Sequence, residues 1–219
     1  MKKIVIIVSG FAILACLFSS CKKMFGLSLY ENYEYKSKTL DPQQGITAWE
    51  FLNKSRPDTL FNLMKLGIKY AGLEEEYKKP NRTYFFLTNA AISAKSSTTG
   101  LESSTTYFGR NLVNGKPGKA WQDYPVAQIR DLFQYHIAEG MHAHGNLTID
   151  PVITQTLRAD PSTNKVWINL QKDNRYLQLE LNNFPKSAKI ILPRTANLQM
   201  KENCVVHVLA SYLEYVLLP

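Results

Sequence analysis

The sequence predicts an α+β fold, with helices gathered early and strands late. Three observations carry this. Apolar residues recur at helical spacing through residues 60–71 and again at 126–133. After Gly140 the pattern turns extended, and β-prone runs alternate with Asn, Asp and Pro. The last strong segment, Asn203 to Leu213, is a β-branched and apolar run with His207 in its middle. Helices followed by strands argue for α+β rather than a repeating parallel unit. A run like the last one belongs to a strand buried on both faces. Its imidazole then needs a partner inside the fold, because a buried unpaired polar group is costly.

The chain opens with an address. Met1-Lys2-Lys3 is a short positive region, residues 4–18 are almost wholly apolar, and Ser19-Ser20-Cys21 closes the segment with small residues. The apolar stretch is short for a membrane span and reads as a signal peptide over residues 1–20. Small residues followed by Cys resemble a bacterial lipoprotein cleavage site, which implies Cys21 as the lipidated first mature residue (the palmitate-bearing position). Ala15-Cys16 is a weaker boundary, since apolar and small residues continue beyond it. This address implies the cell envelope, as an outer-membrane lipoprotein, with the membrane itself as a partner through the lipid anchor. Residues 21–45, polar with Tyr30, Tyr33 and Tyr35, read as a tether.

In the body, Thr47 and Glu50 form a capping-box pattern for a short helix carrying Trp49 and Leu52. Asp58 is placed to cap the next helix, where Leu60, Phe61, Met64, Ile68 and Ala71 share a face and Gly72 stops it. Residues 83–88 read as a strand, and Asn89 as the cap of a helical turn at 90–92. Residues 93–123 are rich in Ser, Thr, Gly and Lys and read as a long inserted loop, with Ser96 to Gly100 and Asn114 to Gly118 as mobile loop or hairpin turns. Pro125 opens a helix with Val126, Ile129, Leu132 and Phe133 inward, and Gly140 ends the unit. Strands are then expected at 149–157, 165–170, 176–181, 189–192, 197–200 and 204–213.

Composition narrows the function. The chain has 219 residues, 45% hydrophobic and 20% charged, which suits one self-supporting core. The net charge of +8 is spread along the chain rather than set in one Lys/Arg stripe, which argues against a nucleic-acid partner. Of three cysteines only Cys204 lies in the mature body, within the apolar final run, where a free thiol acts as a small filler. No nucleophile elbow or phosphate loop appears, so no catalytic residue and no cofactor is assigned.

Four ordered segments carry a family resemblance. They are Phe61 to Leu73, Thr83 to Ile92 with its Thr88-Asn89 step into a helix, Ile129 to Gly140 with its Tyr135-His136 step, and Asn203 to Leu213. Together they resemble a fasciclin-like domain over residues 46–219, with residues 93–123 as a long insertion. Cys204, Ala210 and Ala90 depart from the residues usual in that family. The resemblance implies a β-sandwich or wedge flanked by helices, and adhesion to glycan or extracellular protein ligands rather than catalysis. It also implies Tyr135 and His136 as a ligand-contact step; the residues themselves read more simply as packed under the sheet, holding the helix end with one hydrogen bond each. His207 reads as structural.

Tyr107, Phe108 and Trp121 in the long loop, with Tyr124 just after it, are expected at an exposed contact surface suited to sugar faces. His142 and His144 are the one close His pair; on a strand both would point the same way and offer a weak metal site, the basis of an alternative metal-dependent hydrolase. Another alternative is an accessory subunit of an envelope complex.

Overall fold

The computed structural model describes residues 44–54, 60–172, 177–183 and 191–215. The expected signal peptide, Cys21 and nearly all of the expected tether lie outside the described residues, as do Asp58, Tyr176 and residues 189–190.

The described residues confirm the α+β class. Helix α1 (Ala48–Lys54) opens on a complete capping box. The Thr47 N–H donates to the Glu50 carboxylate at 2.8 Å, and the Glu50 N–H donates to Thr47 Oγ1 at 3.1 Å. Helix α2 (Asn62–Ala71) ends at Gly72, whose φ of 67° is the left-handed conformation that glycine takes without penalty. Strand β1 (Arg82–Leu87) follows, then the short helix α3 (Asn89–Ile92). Here Thr88, not Asn89, is the cap: its side chain accepts from the Ala91 N–H. Asn89 instead reaches back across the fold, and its Oδ1 accepts the Leu63 N–H at 2.9 Å, serving the first turn of α2.

Residues 93–123 are not the loose loop expected. They hold helix α4 (Tyr107–Arg110), a small hairpin of β2 (Leu112–Val113) and β3 (Lys116–Pro117), and a 3-10 turn at Trp121–Asp123. The hairpin turn is Asn114-Gly115, at φ 50° and 76°, the pairing such two-residue turns favour. Helix α5 (Val126–Tyr135) buries Ile129, Leu132 and Phe133, while Val126 faces outward at 38% exposure.

Strand β4 (Ile137–Glu139) begins almost at once and pairs antiparallel with β1; no turn or alternation in the sequence marks it. The remaining strands are β5 (Val152–Gln155), β6 (Lys165–Lys172), β7 (Leu177–Leu181), β8 (Thr195–Met200) and β9 (Cys204–Leu209). They form two main sheets, ordered β4-β1-β9-β8 and β5-β6-β7. A bridge between Ala138 and Thr156 joins the sheets, and the Leu157 N–H donates to the Ile137 carbonyl at 3.0 Å.

Strand β9 lies inside the first sheet, parallel to β1 from Thr83↔Val205 to Leu87↔Leu209 and antiparallel to β8. All six of its residues are buried. A parallel pair needs a long crossover, and here everything between β1 and β9 supplies it.

Helices α2 and α5 pack closely because α2 carries Gly67 at the contact. A Cβ there would run into the Phe133 ring and lie 2.7 Å from Trp121 Cε2. On an open helix surface Gly→Ala stabilises by about 1 kcal/mol. At this contact the sign reverses: Gly67→Ala is expected to destabilise by about 1–3 kcal/mol through overpacking. A fall in the urea midpoint at unchanged slope checks this; a rise would contradict the close approach.

Candidate functional site

Two imidazoles sit where the final strand meets the rest of the fold. His207, in the middle of β9, is fully buried. Its Nδ1 accepts the Asn197 N–H at 3.1 Å, which leaves Nε2–H to donate to the His142 carbonyl at 2.9 Å. Asn197 can turn its N–H inward because it stands at φ 66°, beside the register shift between β8 and β9. Its Oδ1 accepts the His144 N–H at 3.0 Å, so one Asn organises both histidine segments.

His136 follows α5 and is also fully buried. Its Nδ1–H donates to the Leu132 carbonyl at 2.7 Å, and its Nε2 accepts the Leu213 N–H at 3.0 Å. The two rings therefore need opposite neutral tautomers. Burial pushes both down to about 4; the Leu132 and His142 carbonyls oppose the shift, and nearby His144 and His142 add to it at His207. A second proton on either ring would face a main-chain N–H. Every ring nitrogen is taken, so neither ring offers a free lone pair to a metal or substrate.

Tyr135 is buried on the other side of the same junction. Its O–H donates to the Lys165 carbonyl at 2.9 Å and accepts from Asn182 Nδ2 at 3.3 Å, tying α5 to the second sheet. The expectation of a ligand-contact surface at Tyr135 and His136 is thus corrected: both are internal fastenings.

The same correction applies to the loop aromatics. Tyr107, Phe108, Trp121 and Tyr124 are only 2–3% exposed. Phe108 packs edge-on to Trp121 at 4.9 Å and stacks with Tyr124 at 5.4 Å, and Trp121 meets Phe133 edge-on at 5.4 Å. Trp121 Nε1–H donates to the Leu63 carbonyl at 2.7 Å, and the Tyr124 hydroxyl accepts the Gly118 N–H at 3.1 Å. These rings form a core that seals residues 93–123 onto α2 and α5. Their density in a Ser/Thr-rich stretch was the available signal for packing.

His142 and His144 do not stand on a strand. Residues 141–143 are irregular, and His144 opens a 3-10 turn at His144–Asn146. His142 Nε2–H donates to the Glu139 carbonyl at 2.9 Å, while the His144 ring stacks on His207 at 6.4 Å. Among the described residues no cluster of three or more His, Cys, Asp or Glu could hold a metal ion. The geometry assumed for a metal site at this pair is absent. Cys204 is buried, with its Sγ–H directed to the Lys79 carbonyl at 3.3 Å, and burial raises its thiol pKa, so it is held in the less nucleophilic form.

No family model and no characterised protein sequence matches the chain. Among solved structures it is similar to a FAS1 domain pair from the insect cell adhesion molecule fasciclin I, at 14% identity and a TM-score of 0.46, over 77% of this chain. The chain spans about half the length of that structure, 51%.

The buried imidazoles make stability depend on pH. Their folded values of about 4 lie below the ordinary 6.5, so the unfolded chain binds more protons between those limits. Stability is complete above about 6.5, falls as the pH drops through that window and levels below 4, by about 3 kcal/mol per ring. His142 and His144, also lowered by burial, act in the same direction. Asp123 and Asp160 are held low by hydrogen bonds, from the Lys119 and Ala120 N–H groups and from Ser162 and Thr163, and lose their contribution only at lower pH. Urea midpoints should therefore drop between pH 6.5 and 5; a flat profile there would contradict neutral buried rings.

Proposed function

We propose that the chain is a non-enzymatic adhesion or binding module of fasciclin type, anchored at a bacterial cell envelope through lipid on Cys21. One observation supports it above others. The four segments that carry the family resemblance, far apart in sequence, converge on one junction. Helix α2 packs on α5 at Gly67, β1 pairs with β9, and the Tyr135-His136 step bonds to Lys165 and to Leu213 beyond β9. The non-enzymatic reading is supported by what the polar core does: both buried imidazoles and the Tyr135 hydroxyl are spent on holding main chain together. With the aromatic residues internal, ligand contact falls to the outer surface.

The anchor is tested by mass spectrometry of the mature protein from a lipoprotein-processing bacterial host. The expected N-terminal peptide begins at Cys21 and carries acyl chains, and Cys21→Ser loses them. A mature chain that begins elsewhere without lipid would overturn the anchored reading. Adhesion is tested by comparing cells with and without the intact protein on polysaccharide- and matrix-coated surfaces, where loss of attachment is expected without it.

A further inference from the structure

The inserted residues 93–123 build one more feature. Two cavities, of about 720 and 490 Å³, share Lys119 as a lining residue. The larger is bordered by Lys95, Leu101, Glu102 and Lys116; the smaller by Leu66 and Lys69 of α2 and by Trp121. All four lysines are exposed, and none is within ion-pair distance of a carboxylate among the described residues. Leu101 and Leu66 are 70% and 47% exposed.

The two acidic residues of the insertion are turned to structural work. The Glu102 carboxylate accepts from Ser93 Oγ, the Ala94 N–H and Thr106 Oγ1 at 2.7–2.9 Å. Asp123 Oδ2 accepts the Lys119 and Ala120 N–H groups at 2.7 and 3.1 Å. The cavities thus present lysines and apolar rims; Glu102 also borders the larger one, where its carboxylate is engaged by Ser93, Ala94 and Thr106, and three lysines there outnumber it.

We propose that these two cavities together bind a linear acidic polysaccharide of the uronate type. This deepens the binding-module reading and rests on it. The charge is complementary, and two neighbouring cavities that share Lys119 fit an extended chain rather than a compact ligand. Exposed leucines suit the C–H faces of sugar rings. A nucleic-acid strand fits less well: its binding calls for a continuous basic groove that tracks the backbone. It also wants aromatic faces for its bases, and the Trp121 and Phe108 rings are only 3% and 2% exposed.

The test uses the full lipidated chain in neutral detergent micelles, with polygalacturonate as probe and dextran as the uncharged control. Polygalacturonate should bind, dextran should not, and binding should weaken with salt. The combined Lys95→Gln, Lys116→Gln and Lys119→Gln variant should lose roughly tenfold in affinity, the product of three modest exposed ion pairs. A control changing Lys54, Lys165 and Lys201 to Gln, exposed lysines outside both cavities, removes the same charge and should bind as the parent does. Equal losses in the two variants, no loss in the first, or single-stranded DNA binding as tightly as polygalacturonate would each overturn the proposal. Unchanged melting temperatures show that both variants fold. Failure here with Cys21 still lipidated and attachment intact removes this ligand alone, not the module.

Discussion

A strand with all six residues buried needs a neighbour on each edge and a layer over each face, and β9 has β1 on one edge and β8 on the other. Its parallel partner β1 lies far back in the chain, with Thr83 opposite Val205, so the pairing closes a long loop that contains residues 93–123 and the second sheet. Such non-local pairing carries a loop-closure cost before its contacts repay it. The polar groups at this closure must then be fully satisfied, and His207 and His136 do this by accepting one main-chain N–H each and donating to one carbonyl each. The neutral imidazole is suited to the task because it is donor and acceptor on opposite sides of one small apolar ring.

Residues 93–123 follow the same logic on a smaller scale. A Ser/Thr-rich segment has little means of ordering itself, yet its aromatic residues dock on the shared surface of α2 and α5, and Gly67 leaves room for them. The packed underside fixes the outer side, where the lysines and leucines stand. Sealing and display are thus properties of one segment, and the rings once expected to meet a ligand are the reason the surface above them has a defined shape.

Much of this was legible in the sequence. Helical spacing located α2 and α5, the Thr47/Glu50 box located α1, Asn114-Gly115 located the hairpin, and the run around Val205 located the buried strand together with the need to satisfy its imidazole. What escaped depends on distant partners. β4 is three residues long and is a strand because β1 lies beside it. Asn89 has the chemistry of a local cap, but its oxygen serves α2 while Thr88 takes the local duty. Asn197 gives no sign of its role beyond an Asn's tolerance of positive φ. The polar composition of residues 93–123 concealed a core because exposure was inferred from the neighbours of the rings rather than from the rings themselves.

The account turns on the protonation state at the β9 junction, which nitrogen-15 NMR of the imidazole rings reads directly. At pH 6 His207 is predicted to be neutral with its proton on Nε2, and His136 neutral with its proton on Nδ1. Either ring as the cation at that pH, or both rings in the same tautomer, would contradict it.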